Sequence, residues 1–220
     1  MNWWVASAWD AGPAYLVSWI FWVIFSISLH ELGHGWAAIR RGDDTPIALG
    51  RMTWNPIVHM GQASLIVFAI IGIAWGSMPV NPSRLRGRHA EAFVAVAGPL
   101  MNLGLFVASA VVCGLWIAIG PKLSFVPDNV LSNIETFFWV GAFLNVALLL
   151  LNLLPVPPLD GSRIVADYVP SYRDLIYGPN GQLFGLGMLL VIFFFGGRYL
   201  FGAAMYVASV PVGLVSSLVP

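Results

Sequence analysis

Two imidazoles and a carboxylate fall within five residues of this chain, in His30-Glu31-Leu32-Gly33-His34. Residues four apart on a helix share a face, so both histidines can reach one metal ion. Glu31 stands beside the first of them, where it can take a proton from an attacking water and deliver it to a leaving amine. Zinc suits such a group, since it lowers the pKa of its water towards 7 and polarises a carbonyl. A zinc site that does chemistry needs a third protein ligand and an open position. Asp160 is a candidate, at the end of Asn152-Leu153-Leu154-Pro155-Val156-Pro157-Pro158-Leu159-Asp160-Gly161. Its carboxylate reads equally well as a ligand and as a solvated turn former ahead of Gly161.

The elements that must position these groups are membrane helices. Of 220 residues, 59% are hydrophobic and only 9% charged, against about 25% charged in soluble domains. That much apolar surface calls for lipid as solvent. Apolar stretches cover residues 13–38, 62–78, 90–119 and 137–154. Two more run almost without interruption over 183–219, broken at Gly196-Gly197-Arg198. A helix needs about 20 apolar residues to cross the hydrocarbon, which leaves 62–78, with Gly72 and Gly76 inside it, short. The expected fold is an all-α polytopic bundle with five or six membrane segments, forming one integral membrane domain over 1–220. Trp3, Trp4 and Trp9 suit a membrane–water interface.

The location of the His-Glu-His group sharpens its reading. An ionisable residue at the centre of a membrane helix costs about 2.5–3.5 kcal/mol on insertion scales, so three together need compensation and mark a functional site. Pro155, Pro157 and Pro158 prevent an ordinary helix before Asp160. Broken backbone at membrane depth is tolerated where it is buried in protein or lines a water-filled cavity. The loop over residues 40–60 carries turn formers at Gly42-Asp43-Asp44, Gly50 and Asn55-Pro56, with residues 47–49 and 52–54 between them. These two segments are expected to pair as a small β-hairpin, whose edge could receive an extended peptide. The net charge is zero, which gives no electrostatic basis for binding nucleic acid. Cys113, the only cysteine, reads as a small buried hydrophobe.

The His30–His34 motif followed by Asn152, Pro155, Asp160 and Gly161 resembles the site-2 protease family of intramembrane zinc metalloproteases. Ala97-Gly98-Pro99-Leu100-Met101-Asn102 is similar to a motif of the intervening helix in that family. Gly42-Asp43, Thr45-Pro46, Gly50-Arg51, Asn55-Pro56 and His59 resemble the loop of small bacterial members. The likeness runs from about Ser26 to Arg163, without an inserted PDZ-like or nucleotide-sensing module. It implies Zn2+ held by His30, His34 and Asp160, with Glu31 as general base and Asn152 steadying the oxyanion. The implied substrates are membrane proteins cut in or near a membrane helix. Gly61 departs from the family's pattern, where an aspartate is expected, and His59 reads better as an interfacial residue than as a catalytic one. Asn102 and Asn145 read as interhelical hydrogen-bonding residues.

Two other classes stay open on the sequence: a metal-binding transporter and a catalytically silent membrane scaffold. Glu31 discriminates, because a transporter needs ligands but no base beside them. Topology is also legible. His30, His34 and Asp160 all lie late in or just past their stretches, so the first and fourth must run parallel to meet. An odd number of crossings must separate them, and the short stretch 62–78 is therefore expected to turn back. Lys and Arg favour the cytoplasmic side. A returning segment puts Arg40, Arg41, Arg51, Arg84, Arg86, Arg88, Arg163 and Arg173 on one side, with Lys122 and Arg198 opposite. Five crossings and a site nearer the cytoplasm of a multi-pass cell-membrane protein are the result.

Overall fold

The computed structural model describes residues 3–218, with only the backbone of Gln182; Val219, at the end of the last apolar stretch, lies outside them. Ten α-helices appear among the described residues, with no strand. They are α1 (Trp4–Asp10), α2 (Pro13–Arg40), α3 (Thr45–Ala48), α4 (Pro56–Ile71), α5 (Ala90–Ile119), α6 (Asp128–Asn152), α7 (Asp160–Tyr168), α8 (Pro170–Tyr177), α9 (Gly181–Val191) and α10 (Gly197–Leu218). Four helical runs are long and apolar enough to cross a membrane: Pro13–Arg40, Ala90–Lys122, Asp128–Asn152 and Leu183–Leu218. The last is one run where two were expected. Gly196 and Gly197 do not break it, because a π turn over Ile192–Gly196 carries the helix through. Such a turn absorbs an extra residue without ending the ladder.

α2, α5 and α6 form the centre. Trp22 Nε1 donates to the Phe137 carbonyl at 2.7 Å, fixing one level of α2 against the first half of α6. Further on, His30 of α2, Asn102 of α5 and Asn145 of α6 share a level. Higher again, His34 meets Asp160, just past α6. The order of these levels makes α2 and α6 parallel, with α5 antiparallel between them. Small residues let the helices approach closely. A Cβ on Gly141 would meet the Trp22 indole, and one on Gly33 would lie 2.6 Å from Met101 Cγ and 2.9 Å from the Ala97 carbonyl. Beneath the site lies a buried core that includes Val23, Ile27, Phe106, Val140 and Val146.

The short stretch turns back. Asn55 caps α4 by accepting from the Ile57 amide at 3.0 Å, and Gly72 ends it in the left-handed region at φ 78°. The chain then returns along its own helix. Ser64 Oγ donates to the Trp75 carbonyl at 2.7 Å and accepts from the Trp75 amide at 2.9 Å. The Ser77 amide reaches the His59 carbonyl at 3.0 Å. At the end of the return, the Asn81 amide donates to Asp43 Oδ2 at 2.7 Å, bringing the segment back to where it left α2. The far tip is held by the start of α1 and the residue before it: Trp3 Nε1 donates to the Ala69 and Ile70 carbonyls and Trp4 Nε1 to that of Ala69. These are last-turn carbonyls of α4 that lack helical partners.

The expected β-hairpin after α2 does not form. Residues 45–48 make the helical turn α3 instead, and residues 52–54 are irregular. Pro46 near the start of α3 is preset for a helix start and cannot donate to a strand ladder. Asp43, fully buried, accepts from both the amide and the hydroxyl of Thr45, which closes the turn. Burial raises the Asp43 carboxyl's pKa, but the bonds from Thr45 and Asn81, with Arg84 nearby, outweigh it and hold the group below its ordinary range.

Candidate metal centre

α2 delivers His30, Glu31 and His34 from its C-terminal half, all buried. Asp160 arrives by a different route. α6 ends at Asn152, the proline-containing segment turns, and α7 begins at Asp160. The turn is tight: a Cβ on Gly161 would collide with the carbonyls of Leu153 and Leu154. The result brings three potential ligand atoms together. His30 Nε2 and His34 Nε2 are 3.0 Å apart. Asp160 Oδ2 is 3.0 Å from the first and 3.3 Å from the second.

The set fits a metal ion. Tetrahedral ligands about 2.0–2.1 Å from zinc lie roughly 3.3 Å from one another. Asp160 Oδ2 is a buried oxygen whose geometry gives it no hydrogen bond, although both rings are near. The outer nitrogens explain why. His30 Nδ1 is 2.6 Å from Asn102 Oδ1, and His34 Nδ1 is 2.8 Å from the Val94 carbonyl. Each Nδ1–H donates outward, so each Nε2 is left with a lone pair facing the carboxylate. With both rings neutral, three acceptors this close suit a cation among them. Space is reserved as well: a Cβ on Gly98 of α5 would sit 2.6 Å from His30 Nε2 and closer still to His34 Nε2.

Glu31 lies on the side of the returning segment. A Cβ on Gly76 would be 2.6 Å from Glu31 Oε1, so the bare backbone of Gly76 covers the carboxylate. Asn152 is half-buried, and its amide donates to the Leu148 carbonyl of its own helix at 3.0 Å; no bond joins it to the trio among the described residues. His59 is buried at 1% exposure, with Nε2 2.7 Å from the Thr53 carbonyl and Nδ1 without a partner. His89 stands away from the trio at the start of α5, stacked on Tyr168 with Nδ1 3.3 Å from Asp167. Reading the sequence missed Gly98, Gly76 and the contact from Asn102 to His30. Only the Ala97–Asn102 motif signalled two of the three.

The family model of peptidase family M50 matches residues 117–195, a stretch that includes Asn152 and Asp160. YwhC of Bacillus subtilis, which carries the name of a zinc metalloprotease, is 37% identical over 174 residues, 78% of this chain and 77% of that protein. Rip2 of Mycobacterium tuberculosis, similarly named, is 30% identical over 183 residues; the match covers 78% of this chain but only 64% of Rip2. MJ0611 of Methanocaldococcus jannaschii, also named a zinc metalloprotease, is 27% identical over 139 residues. No solved structure matches the chain significantly. With the His-Glu-His motif buried against Asp160 and relatives aligned over most of both chains, this chain belongs to peptidase family M50, the site-2 protease family of metalloproteases.

Proposed function

We propose that the chain is a zinc-dependent endopeptidase that cuts membrane proteins within or near their membrane helices, from a single membrane domain. The convergence of His30 Nε2, His34 Nε2 and Asp160 Oδ2 beside Glu31, inside a bundle of membrane-length helices, carries this reading. His30, His34 and Asp160 hold Zn2+, which when bound acidifies water and polarises the scissile carbonyl. Glu31 takes the proton of the attacking water and delivers it to the leaving nitrogen. Asn152 steadies the oxyanion by turning its amide from the Leu148 carbonyl towards the site.

The substrate must be extended before its peptide bonds are reachable, because a helix screens its own backbone. Residues 73–80, not the expected hairpin, are the edge suited to receive it. Trp75 and Ser77 bond towards α4. Among the described residues, no bond reaches the backbone N–H or C=O of Ala74, Gly76 or Met78, and Gly76 lies over Glu31. A peptide paired along that side passes the carboxylate.

Glu31→Gln tests the reading. The variant should keep about one zinc per chain and lose proteolysis, since the base is not a ligand. Single-pass proteins that accumulate in membranes of cells carrying the variant, relative to wild type, are the substrates. Wild-type cleavage by Glu31→Gln, or no zinc in the wild type after reconstitution, overturns it.

A further inference from the structure

Both histidines of the trio are held from behind by α5, but by different means. His34 meets a backbone carbonyl, that of Val94, which can only accept. His30 meets a side-chain amide, that of Asn102, which could present either oxygen or nitrogen. An amide turned the wrong way would offer N–H to Nδ1, draw the ring proton to Nε2 and block the atom that faces Asp160. What fixes the direction of Asn102 therefore decides whether His30 offers a lone pair to the site.

That direction is set on a third helix. Asn145 Nδ2 donates to the Gly141 carbonyl at 2.9 Å. A carbonyl cannot donate, so the other end of Asn145 must be its oxygen. Asn102 Nδ2 donates to that oxygen at 3.0 Å. The other end of Asn102 is then also its oxygen, 2.6 Å from His30 Nδ1. Both asparagines are fully buried. Every donor and acceptor along the line has one consistent assignment, starting from a backbone group that has no choice.

We propose that Gly141, Asn145 and Asn102 form a directional hydrogen-bond relay that fixes the His30 tautomer and so positions its Nε2 as a metal ligand. Asn102 and Asn145 are positioning residues, and the inference rests on the reading of His30 as a ligand. Groups behind a metal-bound histidine typically change metal affinity by about 10–100-fold. The relay also joins α2, α5 and α6 at the depth of the site. Ligand geometry is thereby tied to correct assembly of the three central helices.

The test is zinc affinity of the full-length protein in detergent, by competition with a chelator. Asn102→Leu should weaken zinc by about 10–100-fold. Asn102→Asp, whose carboxylate still accepts from Nδ1–H, should stay within a few-fold of wild type. Asn145→Leu, which touches neither zinc nor His30, should weaken binding by roughly 3- to 10-fold through one lost bond. The double Leu variant should be no weaker than Asn102→Leu alone, because the residues act in series. In zinc-loaded protein with 15N-labelled histidine rings, the His30 Nδ1–H should be slow to exchange, and Asn145→Leu should shift it. Wild-type affinity in Asn102→Leu, or an Asn102→Asp as weak as Leu, overturns the relay while leaving the zinc site intact. If Asn102→Leu does not fold, a wild-type His30 that lacks a proton on Nδ1 still overturns it. A wild type that takes up no zinc overturns the reading beneath it as well.

Discussion

Three side chains that must meet are each held by a feature of a neighbouring residue. His30 and His34 are four apart on one helix, and the bare Cα of Gly98 leaves room for both rings. Asp160 depends on Gly161, whose backbone lies against two carbonyls of the preceding turn. Gly98→Ala is expected to drive a methyl group into the imidazoles. Overpacking of this kind costs about 1–3 kcal/mol, and here it falls on the atoms proposed to bind zinc. Zinc content by elemental analysis of desalted protein should drop while the helical circular dichroism spectrum persists; full zinc in Gly98→Ala counts against a site in that space. Asp160→Ala should lower zinc affinity and activity together. In the sequence the His-Glu-His group was legible because its spacing is a helical period. Asp160 was not, because a carboxylate after a proline run has the same appearance as a turn aspartate, and the resemblance alone favoured the ligand. Gly98 and Asn102 were marked only by the Ala97–Asn102 motif, and their contacts with the histidines exist only once α5 lies against α2.

Among the elements, the returning segment is the one that meets Glu31, and its hold on that position is local. Its helix would otherwise end with carbonyls that lack helical partners. The indoles of Trp3 and Trp4 supply the donors, and the Trp4 ring packs on Phe68 at 5.2 Å. Trp3→Phe with Trp4→Phe keeps the rings and removes the N–H groups. Each lost bond is worth about 0.5–1.5 kcal/mol. The double variant should speed amide hydrogen exchange over residues 64–77 while leaving α5 and α6 unchanged; unchanged exchange in the returning segment excludes the clamp. Element lengths were legible as apolar runs, and the weakness of 62–78 as a span followed from its length and glycines. The hairpin failed as an expectation because short apolar pieces between turn residues do not reveal which side-chain caps will form. Asp43 and Pro46 decided for a helical turn. Gly196-Gly197 suggested a break, but glycine weakens a helix without forbidding it, and the chain continued through a π turn.

For the molecule as a whole, the parallel course of α2 and α6 is the constraint from which the topology follows. Trp22 with Phe137, His30 through Asn102 with Asn145, and His34 with Asp160 are three levels in the same order on both. Only α5 crosses between them, since α4 and the residues after it return to Asp43. Among the described residues, four runs are long and apolar enough to cross, against the five crossings expected, because Leu183–Leu218 is one run. At 36 residues it reaches ~54 Å, more than the ~30 Å of hydrocarbon requires, so it must tilt or project beyond the membrane. With an even number of crossings, the two ends of the described chain share a side. The other side gathers Arg40, Arg41, Arg51, Arg84, Arg86, Arg88, Arg163 and Arg173, close to the candidate metal centre. Two contacts tie the loops there: Arg84 pairs with Asp44, and the Arg86 amide donates to the Arg41 carbonyl at 2.7 Å. Lys and Arg within about 15–20 residues of span ends set orientation towards the cytoplasm. We propose on this charge bias that the site lies nearer the cytoplasmic face, with the described N-terminal end outside. Single cysteines replacing Asp44 and Ser83 in a Cys113→Ala background report on this directly, as both positions are exposed. Both should react with a membrane-impermeant thiol reagent in inverted vesicles and resist it in intact cells. Reaction of both in intact cells reverses the orientation while preserving the fold. Reaction of one from each face means that the segment between them crosses, which the bond between Asn81 and Asp43 does not allow.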